Sequence, residues 1–166
     1  KYQKFTGSLR ASTEITDNLL LFTGLSQGFR PPSLYDLTST DVTSIAEIPD
    51  TRISPEKFIQ AEIGLRGLSS ALEWQFFAYH TWIDDMIIRS PFTATDGKTK
   101  AIKSNGDGFI QGLEIELQYD WSPSWQSNLS FSWMAAEVEQ LQPHALGPKM
   151  KLIDHDNDES TAKIHK

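Results

Sequence analysis

The stretch Gly112-Leu113-Glu114-Ile115-Glu116-Leu117-Gln118-Tyr119-Asp120-Trp121 alternates without a break. Successive side chains of an extended chain point to opposite faces. Leu113, Ile115, Leu117, Tyr119 and Trp121 therefore share one face, and Gly112, Glu114, Glu116, Gln118 and Asp120 the other. The second face is unsuited to a dry core, where unpaired carboxylates are costly. One greasy face and one wet face are what the residues demand.

The same period recurs on both sides of this strand. After the turn Ser122-Pro123-Ser124, a strand over 125–138 sets Leu129, Phe131, Trp133 and Ala135 against Asn128, Ser130, Ser132 and Met134. Upstream, a strand over 71–89 places Leu72, Trp74, Phe76, Ala78 and Trp82 opposite Glu73, Gln75, Phe77, Tyr79 and Thr81. Before it, 57–68 alternates Ile59, Ala61, Ile63 and Leu65 with Gln60, Glu62, Gly64 and Arg66. The first strand, 5–15, alternates Phe5, Gly7, Leu9, Ala11, Thr13 and Ile15 with Thr6, Ser8, Arg10, Ser12 and Glu14. The second, 19–29, opens with an apolar run that leaves its facing ambiguous.

These expected strands run from 11 residues (5–15) to 19 (71–89). Strands of soluble proteins are usually about 5–6 residues long. The connections alternate as well: short at 16–18, 67–70 and 122–124, long and polar at 30–56, 90–107 and from 139 onward. Long strands joined by tight turns at one end and long loops at the other are the pattern of an antiparallel up-and-down transmembrane β-barrel. Such a sheet must close in lipid, where an unpaired backbone group has no water to bind. Trp121 and Trp125 bracket a turn, as an interfacial aromatic girdle requires. A large soluble sheet with one wet face also alternates, but its strands are shorter.

Composition narrows the classes further. No run of about 18 apolar residues exists, so no spanning helix is expected, whereas a barrel strand of about 9–11 residues needs only every second residue apolar. With no cysteine, disulfides and thiolate metal sites drop out. The net charge is −7 and the 15 basic residues are scattered, so there is no footprint for nucleic acid. Lys1-Tyr2-Gln3-Lys4 starts directly in strand-like sequence and the end stops in polar sequence, so both ends are expected to be cuts through a longer protein.

Four segments then carry a resemblance. Ser26-Gln27-Gly28-Phe29-Arg30-Pro31-Pro32-Ser33-Leu34-Tyr35-Asp36-Leu37 resembles the strand-to-loop junction of TonB-dependent outer-membrane receptors. Ile53-Ser54-Pro55-Glu56-Lys57, followed by Glu62-Ile63-Gly64, is similar to that family's next strand entry. Phe77-Ala78-Tyr79-His80 with Ile83-Asp84-Asp85-Met86-Ile87 resembles the following strand and its exit. Asn105-Gly106 with Gln111-Gly112-Leu113-Glu114-Ile115-Glu116 resembles the strand after that. The order and spacing carry more weight than any one piece. Gly28, Phe29, Arg30, Pro31, Leu37, Pro55, Glu56, Glu62, Gly64, Asn105, Gly112 and Glu114 are the motif residues, and their expected role is construction of the barrel. Pro31 and Pro32 cannot donate to a ladder and end a strand, and Pro55 sits where a missing donor does no harm.

The resemblance implies energised uptake of a scarce ligand, a ferric siderophore, cobalamin or similar solute, across the bacterial outer membrane. It implies about six strands of a barrel of about 22, all of 1–166 being a partial barrel domain without plug or C-terminal strands. The partners implied are the TonB complex, through a plug domain outside this chain, and outer-membrane lipid. No cofactor is implied. The loop 30–56 is expected to help form the outer ligand vestibule. A passive porin-like channel is the alternative, distinguished by lacking a plug.

Other chemistry is thin. Asp154-His155-Asp156-Asn157-Asp158-Glu159 alternates carboxylates as a calcium loop does, but Glu159 stands at the sixth position where glycine is needed and His165 at the twelfth where glutamate is needed. It reads as a solvated acidic loop. The histidines, His80, His144, His155 and His165, form no zinc spacing. Asn128-Leu129-Ser130 matches a glycosylation sequon but lies within a strand. Asp84, Asp85 and His80 are the only candidates for a barrel-rim enzyme, and the two aspartates are expected at a strand end in solvent. No nucleophile elbow, phosphate loop or dinucleotide fingerprint occurs.

Overall fold

The alternating segments pair side by side into one antiparallel layer. A computed structural model describes residues 3–38, 46–94, 96–142 and 151–152. Its elements are β1 (Ser8–Thr16), β2 (Leu19–Arg30), α1 (Leu34–Thr38), β3 (Ala46–Ile48), β4 (Glu56–Leu68), β5 (Leu72–Thr93), β6 (Thr99–Ser122), β7 (Trp125–Gln142) and β8 (Lys151–Leu152). The long strands pair in chain order, β1-β2-β4-β5-β6-β7. None of the described helices is long and apolar enough to cross a membrane.

Local chemistry closes the tight turns. Asp17 and Asn18 join β1 to β2, with the Asn18 N–H donating to Thr16 Oγ1 at 3.4 Å. Between β4 and β5, the Ser69 N–H reaches the Leu72 carbonyl at 2.8 Å and the Leu72 N–H returns to Ser69 Oγ at 3.2 Å. Pro123 and Ser124 join β6 to β7, and the Ser124 N–H donates to Ser122 Oγ at 3.3 Å. Each is a serine, threonine or asparagine turn of the kind that substitutes side-chain for backbone partners.

The register settles the facing of 19–29. Leu21 pairs with Leu65, Leu65 with Phe76, Phe76 with Ile115, and Ile115 with Phe131. That single row crosses the sheet on its apolar face. The adjacent row, Phe22, Gly64, Phe77, Glu114 and Ser132, lies on the other face. Ile63 is 51% exposed and Phe131 54%, so no second layer of protein covers the apolar face among the described residues. The polar face carries the ion pair Arg10–Glu62 at 3.0 Å and the pair Arg66–Glu73.

Two glycines on the polar face are occupied by neighbouring rings. A Cβ on Gly64 would collide with the Phe22 ring. A Cβ on Gly112 would stand 2.7 Å from Tyr79 Oη and 2.8 Å from the Trp133 carbonyl. Phe22 and Phe77 stack with centroids 6.2 Å apart, and Phe77 meets Tyr79 at 5.8 Å. The wall therefore bears an aromatic run that rests on glycine gaps.

Several expectations need correction. Residues 90–107 are not a long loop. β5 continues to Thr93 and β6 begins at Thr99, with Ser90 opposite Ile102 and Thr93 opposite Thr99. Outside lipid an alternating strand needs no continuous apolar face, so Ser, Thr, Lys and Asn there concealed the ladder. Its apolar members, Phe92, Ala94 and Ile102, form a small buried cluster that Ile48 packs against. Residues 30–56 are not wholly irregular: they contain α1 and also β3, which pairs parallel to Lys100–Ile102 of β6. β7 runs on to Gln142, and β8 pairs with Phe92 and Thr93. β1 begins at Ser8 rather than at Phe5. Asp84 and Asp85 lie inside β5, at a bulge. The calcium-like segment 154–159 lies outside the described residues.

Candidate functional site

Beyond Trp82 and Phe109 the apolar face ends and a connected set of charged and polar side chains begins. Its starting point is the end of β2. Pro31 and Pro32 stop the ladder, and Ser33 caps α1. Ser33 Oγ accepts the Asp36 N–H at 3.1 Å, while Asp36 Oδ2 accepts the Ser33 N–H at 2.9 Å and its hydroxyl at 2.8 Å. This is a reciprocal capping box with aspartate in the third position.

Asp36 also receives Arg30 Nη1 at 3.1 Å and Lys103 Nζ at 3.4 Å. Burial alone would raise its pKa. The Ser33 N–H and hydroxyl, then Arg30 and Lys103, overcome that and hold the carboxyl at about 2. Lys103 Nζ lies 3.9 Å above the Tyr35 ring centroid and 3.3 Å from the Tyr35 carbonyl, so α1 is tied to β6 by one ammonium.

Arg30 Nε donates to Glu56 Oε2, and the Ile87 N–H donates to Glu56 Oε1 at 2.8 Å. The hydrogen bond to Glu56, ahead of its charge and that of Asp36, pushes the Arg30 guanidinium above its ordinary range. Glu56 is buried. Its carboxylate thus caps an edge N–H of β5 just beyond the last β4 pair, Lys57 with Asp84. Farther along, Glu47 of β3 accepts from Arg89 at 3.3 Å. Asp50 accepts from the Arg52 N–H at 2.9 Å.

The bulge completes the set. Asp84 and Asp85 stand opposite Asp107 alone, between the pairs Ile83–Gly108 and Met86–Gly106. Asp85 has φ 58°, a left-handed conformation that aspartate and asparagine adopt more readily than most residues. Its N–H donates to Asp107 Oδ1 at 3.1 Å, and its carboxylate receives Lys57 Nζ.

The motif residues fall into two groups. Arg30, Glu56 and Asn105 belong to this set, with Pro31, Leu37 and Pro55 on the segment it fastens. A Cβ on Gly28 would stand 3.8 Å from the Phe58 ring, an ordinary contact, and Phe29 pairs with Lys57. Glu62, Gly64, Gly112 and Glu114 sit mid-wall on the polar face and are not brought to the set. Sequence reasoning missed Asp36, Ser54, Lys57, Lys103 and Asp107 as parts of it. The Ser33-x-x-Asp36 spacing was the one local signal available.

No group of three potential metal-ligating side chains occurs among the described residues. His80 is remote from any acid–base set: it lies on the apolar face between Trp82 (4.3 Å) and Phe109 (5.2 Å), with Nδ1 3.3 Å from Gln111 Oε1. The arrangement fastens backbone segments together and offers no nucleophile with a base.

Comparison with known proteins agrees with the geometry. Residues 1–160 match the family "TonB dependent receptor-like, beta-barrel", and the chain belongs to it. It is a family of transporters and receptors rather than of enzymes, and it places this sheet-rich protein in the outer membrane. A vitamin B12 transporter, BtuB, of Photobacterium profundum is 29% identical over 111 residues, which are 66% of this chain and 17% of the relative. The copper transporter OprC superposes with a TM-score of 0.61 at 20% identity, over 81% of this chain and 23% of that one. The siderophore receptor PirA of Pseudomonas aeruginosa gives 0.63 at 15% identity, over 81% and 30%. These two likenesses establish the fold. The chain spans under a third of each relative's length.

Proposed function

We propose that the chain is a segment of barrel wall, with part of the outer vestibule, in a receptor that takes up a scarce solute of the siderophore or cobalamin kind using energy delivered through TonB. The observation that carries this reading is the division of the sheet along its strands. On the apolar face, residues from Leu72 to Trp82 and from Tyr119 to Phe109 form a band interrupted by the one paired row of His80 and Gln111 near its end. Ten steps at about 3.3 Å, tilted by about 40°, make it about 25 Å tall, the height of an outer-membrane barrel's lipid band. The charged set and the described parts of the connecting segment, residues 31–38 and 46–55, lie beyond the band, on the side opposite the tight turns. That is where an extracellular vestibule belongs. Family membership favours energised uptake over a passive porin-like channel, and the motif residues serve as construction points of the wall.

The test uses the full-length receptor in cells with and without TonB. Uptake of labelled cyanocobalamin and of a panel of ferric siderophores is measured at nanomolar supply. Accumulation of one of them that requires TonB supports the reading. Equal flux of small solutes without TonB supports the channel instead. Deletion of residues 38–50 that leaves affinity for the accumulated solute unchanged removes the vestibule role.

A further inference from the structure

Asn105 is 3% exposed, and its backbone pairs with Ile87 of β5 on one side and Gln142 of β7 on the other. Its side chain makes a separate connection. Oδ1 accepts the Ser54 N–H at 2.8 Å, and Nδ2 donates to the Ser54 carbonyl at 3.1 Å and to the Asp85 carbonyl at 2.6 Å. Ser54 precedes β4, so its N–H and C=O are outside the strand ladders. A primary amide presents donor and acceptor as a peptide group does. Asn105 therefore pairs with Ser54 as a side-chain rung, and the second hydrogen of the same amide holds the carbonyl of the bulge residue.

The neighbours give this amide its leverage. Asp85 keeps its left-handed backbone with its N–H on Asp107, its carboxylate on Lys57 and its carbonyl on Asn105. Ser54, Glu56 and Lys57 each bond to the bulge region, through Asn105, the Ile87 N–H and Asp85 respectively. The end of the vestibule segment and the bulge are thereby joined at three points, of which only Asn105 touches both backbones.

We propose that Asn105 is a positioning residue whose amide locks the end of segment 46–55 to the β5 bulge, so that the two move as one body and the segment is a fixed wall rather than a lid. Its meaning for uptake rests on the vestibule reading above, but the lock is tested without any solute. A leucine at 105 has the same branched heavy-atom outline and can neither accept from the Ser54 N–H nor donate to the Ser54 and Asp85 carbonyls. A space-filling role survives that change, and a positioning role does not.

The experiment is amide-resolved hydrogen exchange on the full-length receptor in lipid nanodiscs, without ligand. In the unmutated protein the Ser54 amide is expected to be protected despite lying outside a strand. In Asn105→Leu its exchange rises about tenfold, the worth of a net hydrogen bond or more. Residues 84–87 rise with it, while Ile63 and Leu65 in the lipid band do not change. Unchanged Ser54 exchange in Asn105→Leu overturns the proposal, as does a rise at Ser54 alone. Should that variant not insert, the unmutated protein still decides: a Ser54 amide exchanging at the rate of a free chain sinks the lock. A receptor that shows the lock but no TonB-dependent uptake counts against the proposed function only.

Discussion

Arg30 and Glu56 are a register pair at the facing ends of β2 and β4, and they bridge the two ends of the segment that leaves one strand and returns to the next. Glu56 is the better buried partner, its side chain 8% exposed against 46% for Arg30. Replacing it by glutamine keeps the volume but removes the charge that holds Arg30. We expect Glu56→Gln to weaken local protection at Ile87 or around Arg30 by about 1–3 kcal/mol, the cost of disturbing a buried partner. Glutamine leaves one oxygen for two donors, so native-state hydrogen exchange is expected to change at Ile87 or around Arg30, and no change at either would contradict the bridging role of the carboxylate.

Asp36 fixes the acid limit of the same region. Its carboxyl is held at about 2 against an ordinary value of 3.8, so its contribution is fully present above about pH 4. That contribution is lost as pH falls from about 4 towards 2, because the depressed folded value is the one that must finally be protonated. A nitroxide attached at Leu34→Cys, an exposed position at the start of α1, is expected to keep constant mobility from pH 7 to about 4.5 and to loosen below that. In Asp36→Asn the label is loose at every pH and the transition vanishes.

The wall was legible because lipid on one face and water on the other force a strict two-residue period, and Leu113 to Trp121 keeps it without exception. The charged set was not legible for the converse reason. Past the band neither face meets lipid, so Ser90, Lys103 and Asn105 can belong to strands without a long alternation to betray them. The bulge hid itself further, because an inserted residue shifts the period that a reader follows. Long-range partners such as Ser54 and Asn105 leave no local trace at all. Arg30, Glu56 and Asn105 were marked by resemblance, but nothing in the sequence said that they would meet.

The facing assignment makes a paired prediction. Leu113 lies near the middle of the apolar band and Glu114 on the polar face beside it. Leu113→Lys is expected to destabilise the folded barrel by about 2–4 kcal/mol, the cost of a lysine near the bilayer midplane. Glu114→Lys, on the opposite face, is expected to cost far less. Denaturant titration of the full-length protein folded into vesicles measures both. Equal losses would mean that the two faces meet similar surroundings.

Gly112 offers a sharper test of the polar face. A methyl there meets the Tyr79 ring, which can turn aside, and the Trp133 carbonyl at 2.8 Å, which is backbone and cannot yield without displacing β7. Gly112→Ala is therefore expected to cost about 1–3 kcal/mol, as over-packing does elsewhere. Adding Tyr79→Ala should recover only the part owed to the ring. Gly7→Ala is the control, since a methyl there would find nothing within 4 Å. If Tyr79→Ala restored Gly112→Ala fully, the ring alone would be responsible, and the close β6–β7 backbone approach would be no constraint.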